Sequence, residues 1–140
     1  MKICFDTNVL LDAVGKRPGY QEAQALIEAV AEQRIEGLIA ASSITDIFYL
    51  ARKMIGEAQA RETVKNLLIL FDIAEVNRSL CLAALRLPMR DFEDAVLAAC
   101  AARAGADVIV SRDRAFLGAD SPVSVKRPED LLRQLAGIDF

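Results

Sequence analysis

The sequence predicts a three-layer α/β/α sandwich with a central, mostly parallel sheet. Short apolar, strand-like runs alternate with segments of helical period along the whole chain. Such alternation favours parallel pairing, with right-handed crossovers that lay helices on both faces of one sheet. At 140 residues, with no repeat, linker or low-complexity tract, the chain suits a single domain spanning 1–140. A content of 54% hydrophobic and 26% charged residues supplies a core and excludes a disordered chain.

The elements follow in order. "KICFD" (2–6) is a short apolar run ending in an acid and reads as the first strand. Asn8 is placed to cap a helix through "VLLDAV", which Gly15 and "KRPGY" terminate. Residues 21–33 carry helical apolar spacing, and "GLIAA" (37–41) reads as a second strand. Ser42 or Ser43 then caps a helix with the stripe Ile44, Ile47, Phe48, Ala51 and Ile55. Gly56 separates it from a helix over 57–70, and "FDIAEV" (71–76) is a third strand. Asn77 caps a helix to Leu85, and Pro88 breaks the chain before a helix over 91–104 that is apolar nearly all round and therefore buried. "DVIVS" (107–111) is the most strand-like run, "PVSVK" (122–126) a weaker last strand, and Pro128 opens a terminal helix.

Composition narrows the chemistry. The chain has no histidine, which excludes Ser-His-Asp and Cys-His nucleophiles, His-paired ribonuclease chemistry and His-bearing zinc sites. Cys4, Cys81 and Cys100 lack metal-ligand spacing and read as small core residues in a reducing compartment. No run approaches the ~18 apolar residues of a membrane span, and an acid at position 6 leaves no apolar region for a leader. A soluble, cytoplasmic protein without a membrane partner is expected. The net charge of −3 gives no general attraction to nucleic acid, so such a role requires a local basic patch or a metal.

Acids stand where ligands bind in such a sheet, at the carboxyl ends of the strands. Asp6 ends the first strand, and Asp113 follows "DVIVS". Asp94 lies in the first turn of the helix that feeds that strand, and Asp46 in the first turn of the helix after the second. Clustered carboxylates repel and destabilise the fold unless a cation intervenes. Oxygen-only ligands suit Mg²⁺ or Mn²⁺. Each acid also has a plainer role: Asp91 and Asp113 as helix caps, and Asp46 on a solvated face. Glu93 points elsewhere, and Asp12, Asp72, Glu75 and Asp107 read as surface or turn residues.

"ICFDTNVLLD", "DFEDAVLAACA" and "VIVSRDRAF" together resemble, in order, the three acidic motifs of PIN-domain ribonucleases. The resemblance spans nearly the whole chain. It places the family's first acid, hydroxyl and amide on Asp6, Thr7 and Asn8, its third acid on Asp94 and its fourth on Asp113. Ser111 stands where the family often has threonine. The second acid, usually glutamate, falls on Asp46, with Asp91 as the substitute one turn from Asp94. The resemblance implies Mg²⁺- or Mn²⁺-dependent hydrolysis of RNA phosphodiesters by Asp6, Asp46, Asp94 and Asp113, the metal being held by Asp6, Asp94 and Asp113. Thr7, Asn8, Asp91 and Ser111 would support these carboxylates, and Arg52, Lys53, Arg112 and Arg114 would grip the RNA backbone. Small proteins of this kind resemble VapC-type toxins, which implies a small antitoxin partner and a homodimer.

Two other readings compete. A catalytically inactive PIN fold would serve as an RNA-binding or protein-interaction scaffold. A phosphorelay receiver would need an acid pair beside the first strand and a phosphoacceptor aspartate after the third, where this chain has Asn77.

Overall fold

The first strand is threaded between two later segments of the chain, one pairing with it at Gly37 and the other at Val108, and this placement organises everything else. A computed structural model describes residues 1–138; the last two positions of the expected 1–140 domain lie outside the described residues. In chain order the elements are β1 (Lys2–Phe5), α1 (Thr7–Gly15), α2 (Tyr20–Ala31), β2 (Glu36–Ala40), α3 (Ala41–Ile55), α4 (Glu57–Leu70) and β3 (Asp72–Ala74). There follow α5 (Arg78–Leu85), α6 (Phe92–Arg103), β4 (Val108–Val110), α7 (Arg114–Leu117), β5 (Val125–Lys126) and α8 (Pro128–Ile138). The five strands form one sheet in the order β3-β2-β1-β4-β5, and every pairing is parallel. In β1, Ile3 is registered with Gly37 on one side and with Val108 on the other.

The three central strands β1, β2 and β4 are buried on both faces, which explains their nearly unbroken apolar character. Ile3, Phe5, Ile39, Val108 and Val110 meet residues of α1, α2, α3, α4 and α8 on one face. Cys4, Leu38, Ala40 and Ile109, offset by one, meet α5, α6 and Phe116 of α7 on the other. The crossovers before β3 thus use one face, and the crossover from β3 to β4 uses the opposite one. The change of face leaves a crevice at the carboxyl ends of β1 and β4, where the strand order reverses.

Two packing details fix that crevice. Helix α6 is buried without interruption from Ala95 to Ala101. Its mostly small side chains let its axis lie close to the sheet and bring its first turn over the crevice. On the opposite face Phe71 meets Phe5 edge-on, with ring centroids 5.0 Å apart, a contact worth about 0.5–1.5 kcal/mol beyond its area. Phe71 reaches Phe5 across Gly37, where a Cβ would lie 2.5 Å from the Phe71 ring.

Several expectations are corrected. Asp6, not Asn8, is the N-cap of α1, its carboxylate accepting from the Thr7 amide. Neither Ser42 nor Ser43 caps α3; the helix starts at Ala41 with Ala40 as a cap that offers no side chain, and Ser43 is buried instead. That earlier start places Asp46 in the second turn of α3 rather than the first. Asp12 is not a surface residue: it is buried beneath two arginines. The three cysteines are free thiols, Cys4 and Cys100 being buried. Among the described residues no helix is long and apolar enough to cross a membrane.

Candidate active site

Asp6 is held from three directions. Its Oδ1 accepts from the Thr7 amide at 2.8 Å, and its Oδ2 accepts from the Ser111 hydroxyl at 2.7 Å and from Asn8 Nδ2 at 3.4 Å. The reason is local. A strand that ends where a helix begins leaves the helix's first amides without partners, and a carboxylate at the cap accepts from one of them. Ser111, fully buried at the end of β4, ties the neighbouring strand to Asp6 and accepts from the Asp113 amide at 3.1 Å. Asp113 then caps α7 by accepting from Ala115 N at 3.1 Å. Asp91 caps α6, accepting from the Asp94 amide at 3.1 Å. The capping roles foreseen for Asp91 and Asp113 therefore coexist with membership of the acidic cluster.

The electrostatics show which acids share a site. Burial pushes the Asp6 carboxyl above its ordinary range, outweighing the Ser111 and Thr7 hydrogen bonds, and the charges of Asp113 and Asp91 push it further. Asp94 is raised to about 7, chiefly by burial, then by Asp91, Asp113, Asp6 and Glu93. An acid in a helix's first turn is ordinarily favoured by the helix dipole; here burial and four like charges prevail. Glu93 is exposed but does not stand apart. Partial burial raises it most, followed by the charges of Asp46, Asp91 and Asp6. The structure thus brings together Asp6, Asp91, Asp94 and Asp113, adds Glu93, and connects Asp46 only through Glu93. Asp46 is exposed and is not among the charges acting on Asp6 or Asp94.

No Lys or Arg pairs with any of these six carboxylates among the described residues. Nor, among those residues, do three metal-ligating side chains stand close enough to cage an ion unaided. The donor set nevertheless fits a hydrated divalent cation. It is all oxygen, it is uncompensated, and Mg²⁺ keeps several of its waters while binding one or two carboxylates. Beside the acids lies a cleft of about 350 Å³ between the loop preceding α6 and the segment following α7. Asp91 and Asp94 line it on one side and Ala115 and Asp120 on the other, while Asp6 and Asp113 are not part of its wall.

The basic residues separate. Arg114 is exposed directly after Asp113. Arg52 and Lys53 are exposed in the last turn of α3, where the Arg52 guanidinium lies 5.1 Å from the Tyr49 ring centroid. At 1.5 Å per residue they lie about 10 Å further along the helix than Asp46. Arg112 does not face the crevice as an RNA contact would: its guanidinium is taken up by Asp12, Glu129 and the Gly19 carbonyl. Arg90, in the wall of the cleft, was missed. The only sequence signal for it was its place immediately before "DFED".

Comparison with known proteins agrees with this architecture. The chain matches a family model described as a PIN domain over residues 2–115. The fold is similar to that of VapBC2 from Rickettsia felis, solved bound to a DNA fragment from its promoter, with TM-score 0.71 and 16% identity over 91% of this chain and 98% of that one. DNA-bound VapBC from Salmonella typhimurium gives TM-score 0.69 and 14% identity over 91% and 98% of the two chains. Mycobacterium tuberculosis VapC20, a sarcin-ricin loop cleaving toxin, gives 0.67 and 16% over 85% and 95%. No curated protein sequence matches the chain. With the family model covering most of its length, and the acids of its three motifs gathered at one crevice, the chain belongs to the PIN domain family.

Proposed function

We propose that this protein is a metal-dependent endoribonuclease formed by a single domain over 1–140, and that it is the toxin of a toxin–antitoxin pair. The observation that carries the reading is the convergence of Asp6, Asp91, Asp94 and Asp113 with no basic partner among the described residues, and with Asp94 raised to about 7. A fold keeps such a cluster at a cost unless a cation completes it.

Asp6, Asp94 and Asp113 would hold the ion, and Mg²⁺ or Mn²⁺ when bound supplies positive charge at a phosphate and acidifies water near neutral pH. With no histidine available, the chain's own groups hold and orient. Ser111 and Asn8 fix the Asp6 carboxylate through their hydrogen bonds to Oδ2. Thr7 fixes it through its backbone amide. Asp91 sets the first turn of α6 and with it the direction of Asp94. Asp46 and Glu93 form an outer acidic rim, where Asp46 replaces the family's usual glutamate. Arg114, exposed beside Asp113, and Arg90, in the wall of the cleft, would meet backbone phosphates flanking the cut. Arg52 and Lys53 would touch only RNA that extends along α3.

The similar structures named as VapBC complexes support a small antitoxin partner and a cytoplasmic setting. VapC20's described action on the sarcin-ricin loop supports structured RNA as the substrate class. Incubation of the purified protein with total cellular RNA in Mg²⁺, Mn²⁺ and EDTA tests the reading. Discrete cleavage with either metal, lost in EDTA and in Asp94→Asn, is expected. Intact RNA in every arm would leave the non-catalytic scaffold.

A further inference from the structure

We propose that Arg112 is a positioning residue, clamping the loop that presents Ser111 and Asp113 to Asp6; the proposal rests on the nuclease reading above. Its side chain turns away from the acids and joins three other segments. Nη2 donates to the Gly19 carbonyl at 2.8 Å, and Nη1 donates to Glu129 of α8 at 3.3 Å. Nε lies 2.8 Å from Asp12 Oδ2 but is not aligned to donate to it, so that contact is an ion contact rather than a directed hydrogen bond. Asp12 is buried, and its other oxygen accepts from Arg17 Nε at 2.8 Å. Arg17 in turn donates to the Asn8 carbonyl at 3.2 Å.

The backbone closes the circuit. The Arg112 amide donates to Asn8 Oδ1 at 3.3 Å, while Asn8 Nδ2 donates to Asp6. One residue therefore lies between two that meet the site: Ser111 bonds Asp6 on one side of it, and Asp113 caps α7 on the other. The loop around it is shaped for the guanidinium. Gly19 has φ +86, and a Cβ there would lie 2.6 Å from Arg112 Nη2. A surface arginine that grips RNA needs neither a buried carboxylate nor a glycine cradle.

Steady-state cleavage by Arg112→Lys, Arg112→Gln, Asp12→Asn and the Asp12→Asn/Arg112→Gln double variant separates a clamp from an RNA contact. A lysine keeps the charge but cannot reach three partners at once. The clamp predicts that kcat falls roughly 10- to 100-fold in Arg112→Gln and partly in Arg112→Lys, as expected when reacting groups shift by about an ångström. KM and the salt dependence stay unchanged, and the double variant falls no further than the worse single one. An RNA contact predicts the reverse: KM rises in Arg112→Gln, kcat holds, the salt slope drops by about one, and lysine substitutes well. That outcome, or unchanged kcat in folded Arg112→Gln, overturns the proposal. Should Asp12→Asn fail to fold, Arg112→Lys and Arg112→Gln still decide.

Wild-type protein that cleaves no RNA with either metal refutes the nuclease reading and not the clamp. The clamp is then read from amide exchange. Exchange at Ser111 and Asp113 should be at least about tenfold faster in Arg112→Lys than in wild type, with β1 unchanged. Equal exchange overturns it.

Discussion

Replacing Asp94 by Asn should stabilise the metal-free protein above neutral pH and leave it unchanged in acid. Folding raises the Asp94 carboxyl from 3.8 to about 7, mainly by burial and then by four neighbouring acids. The protonated form is thus the one the fold prefers. The corresponding stability is fully present below about pH 4 and is lost as pH rises through about 7. At about 1.4 kcal/mol for each tenfold change in proton affinity, the full displacement corresponds to about 4 kcal/mol. Asp94 is only half-buried, so solvent screening reduces the measurable effect to about 1–2 kcal/mol. In a domain of this size that is about 3–6 °C in melting temperature. The exchange is clean, because no hydrogen bond to the Asp94 carboxylate exists among the described residues. Thermal unfolding in EDTA at about pH 3 and about pH 8, each about one unit outside that window, should therefore show matching curves in acid and a higher melting temperature for Asp94→Asn at the alkaline value. Millimolar Mg²⁺ or Mn²⁺ should reverse the order. At about a hundred times its dissociation constant the metal adds roughly 2.7 kcal/mol to the wild type, and most of that gain should vanish in Asp94→Asn. A variant less stable than wild type at pH 8 in EDTA would refute the electrostatic account. A wild type blind to both metals would refute the cation.

Asp6→Asn should lower cleavage by about a hundredfold or more while the protein still folds, since asparagine keeps an acceptor for Ser111; a cleavage assay beside a melting curve checks this. Glu93→Gln should raise the melting temperature in EDTA at pH 8, because the carboxyl is raised by burial and by Asp46, Asp91 and Asp6, and the gain should fade in acid. Gly19→Ala should cost about 1–3 kcal/mol by denaturant titration, combining a left-handed backbone with a Cβ pressed against Arg112. Ala98→Leu, at a fully buried position of α6, should cost about 1–3 kcal/mol by overpacking and lower activity through the displaced first turn.

The legible part of this molecule is the part governed by local rules. "DVIVS", the nearly all-round apolar α6 and the caps Asn77 and Asp91 were readable because each depends on residues within a few positions. Asp6 and Asp113 were readable as acids at strand ends. The start of α3 was not, because Ala40 enters the helix without any side-chain cap to announce it. Nor was the pairing of Asp12 with Arg112, whose partners lie a hundred positions apart and meet only through the sheet. Glu93 was misread for a related reason. A helical wheel tells which way it points on α6, but not that α3 brings Asp46 near.

The threading of β1 between β2 and β4 also sets a clock. Ile3 pairs with Val108, and Asp6 waits for Ser111 before its carboxylate is held. At a synthesis rate of about 5–20 residues per second, that partner leaves the ribosome roughly 5–20 s after the first strand does. During that interval the nascent chain carries its first acid on a strand lacking one of its two neighbours, so no partial product has an assembled crevice. The activity proposed for the finished protein is thereby absent until β4 has emerged. Any partner that must restrain that activity has until the last quarter of the chain emerges to arrive.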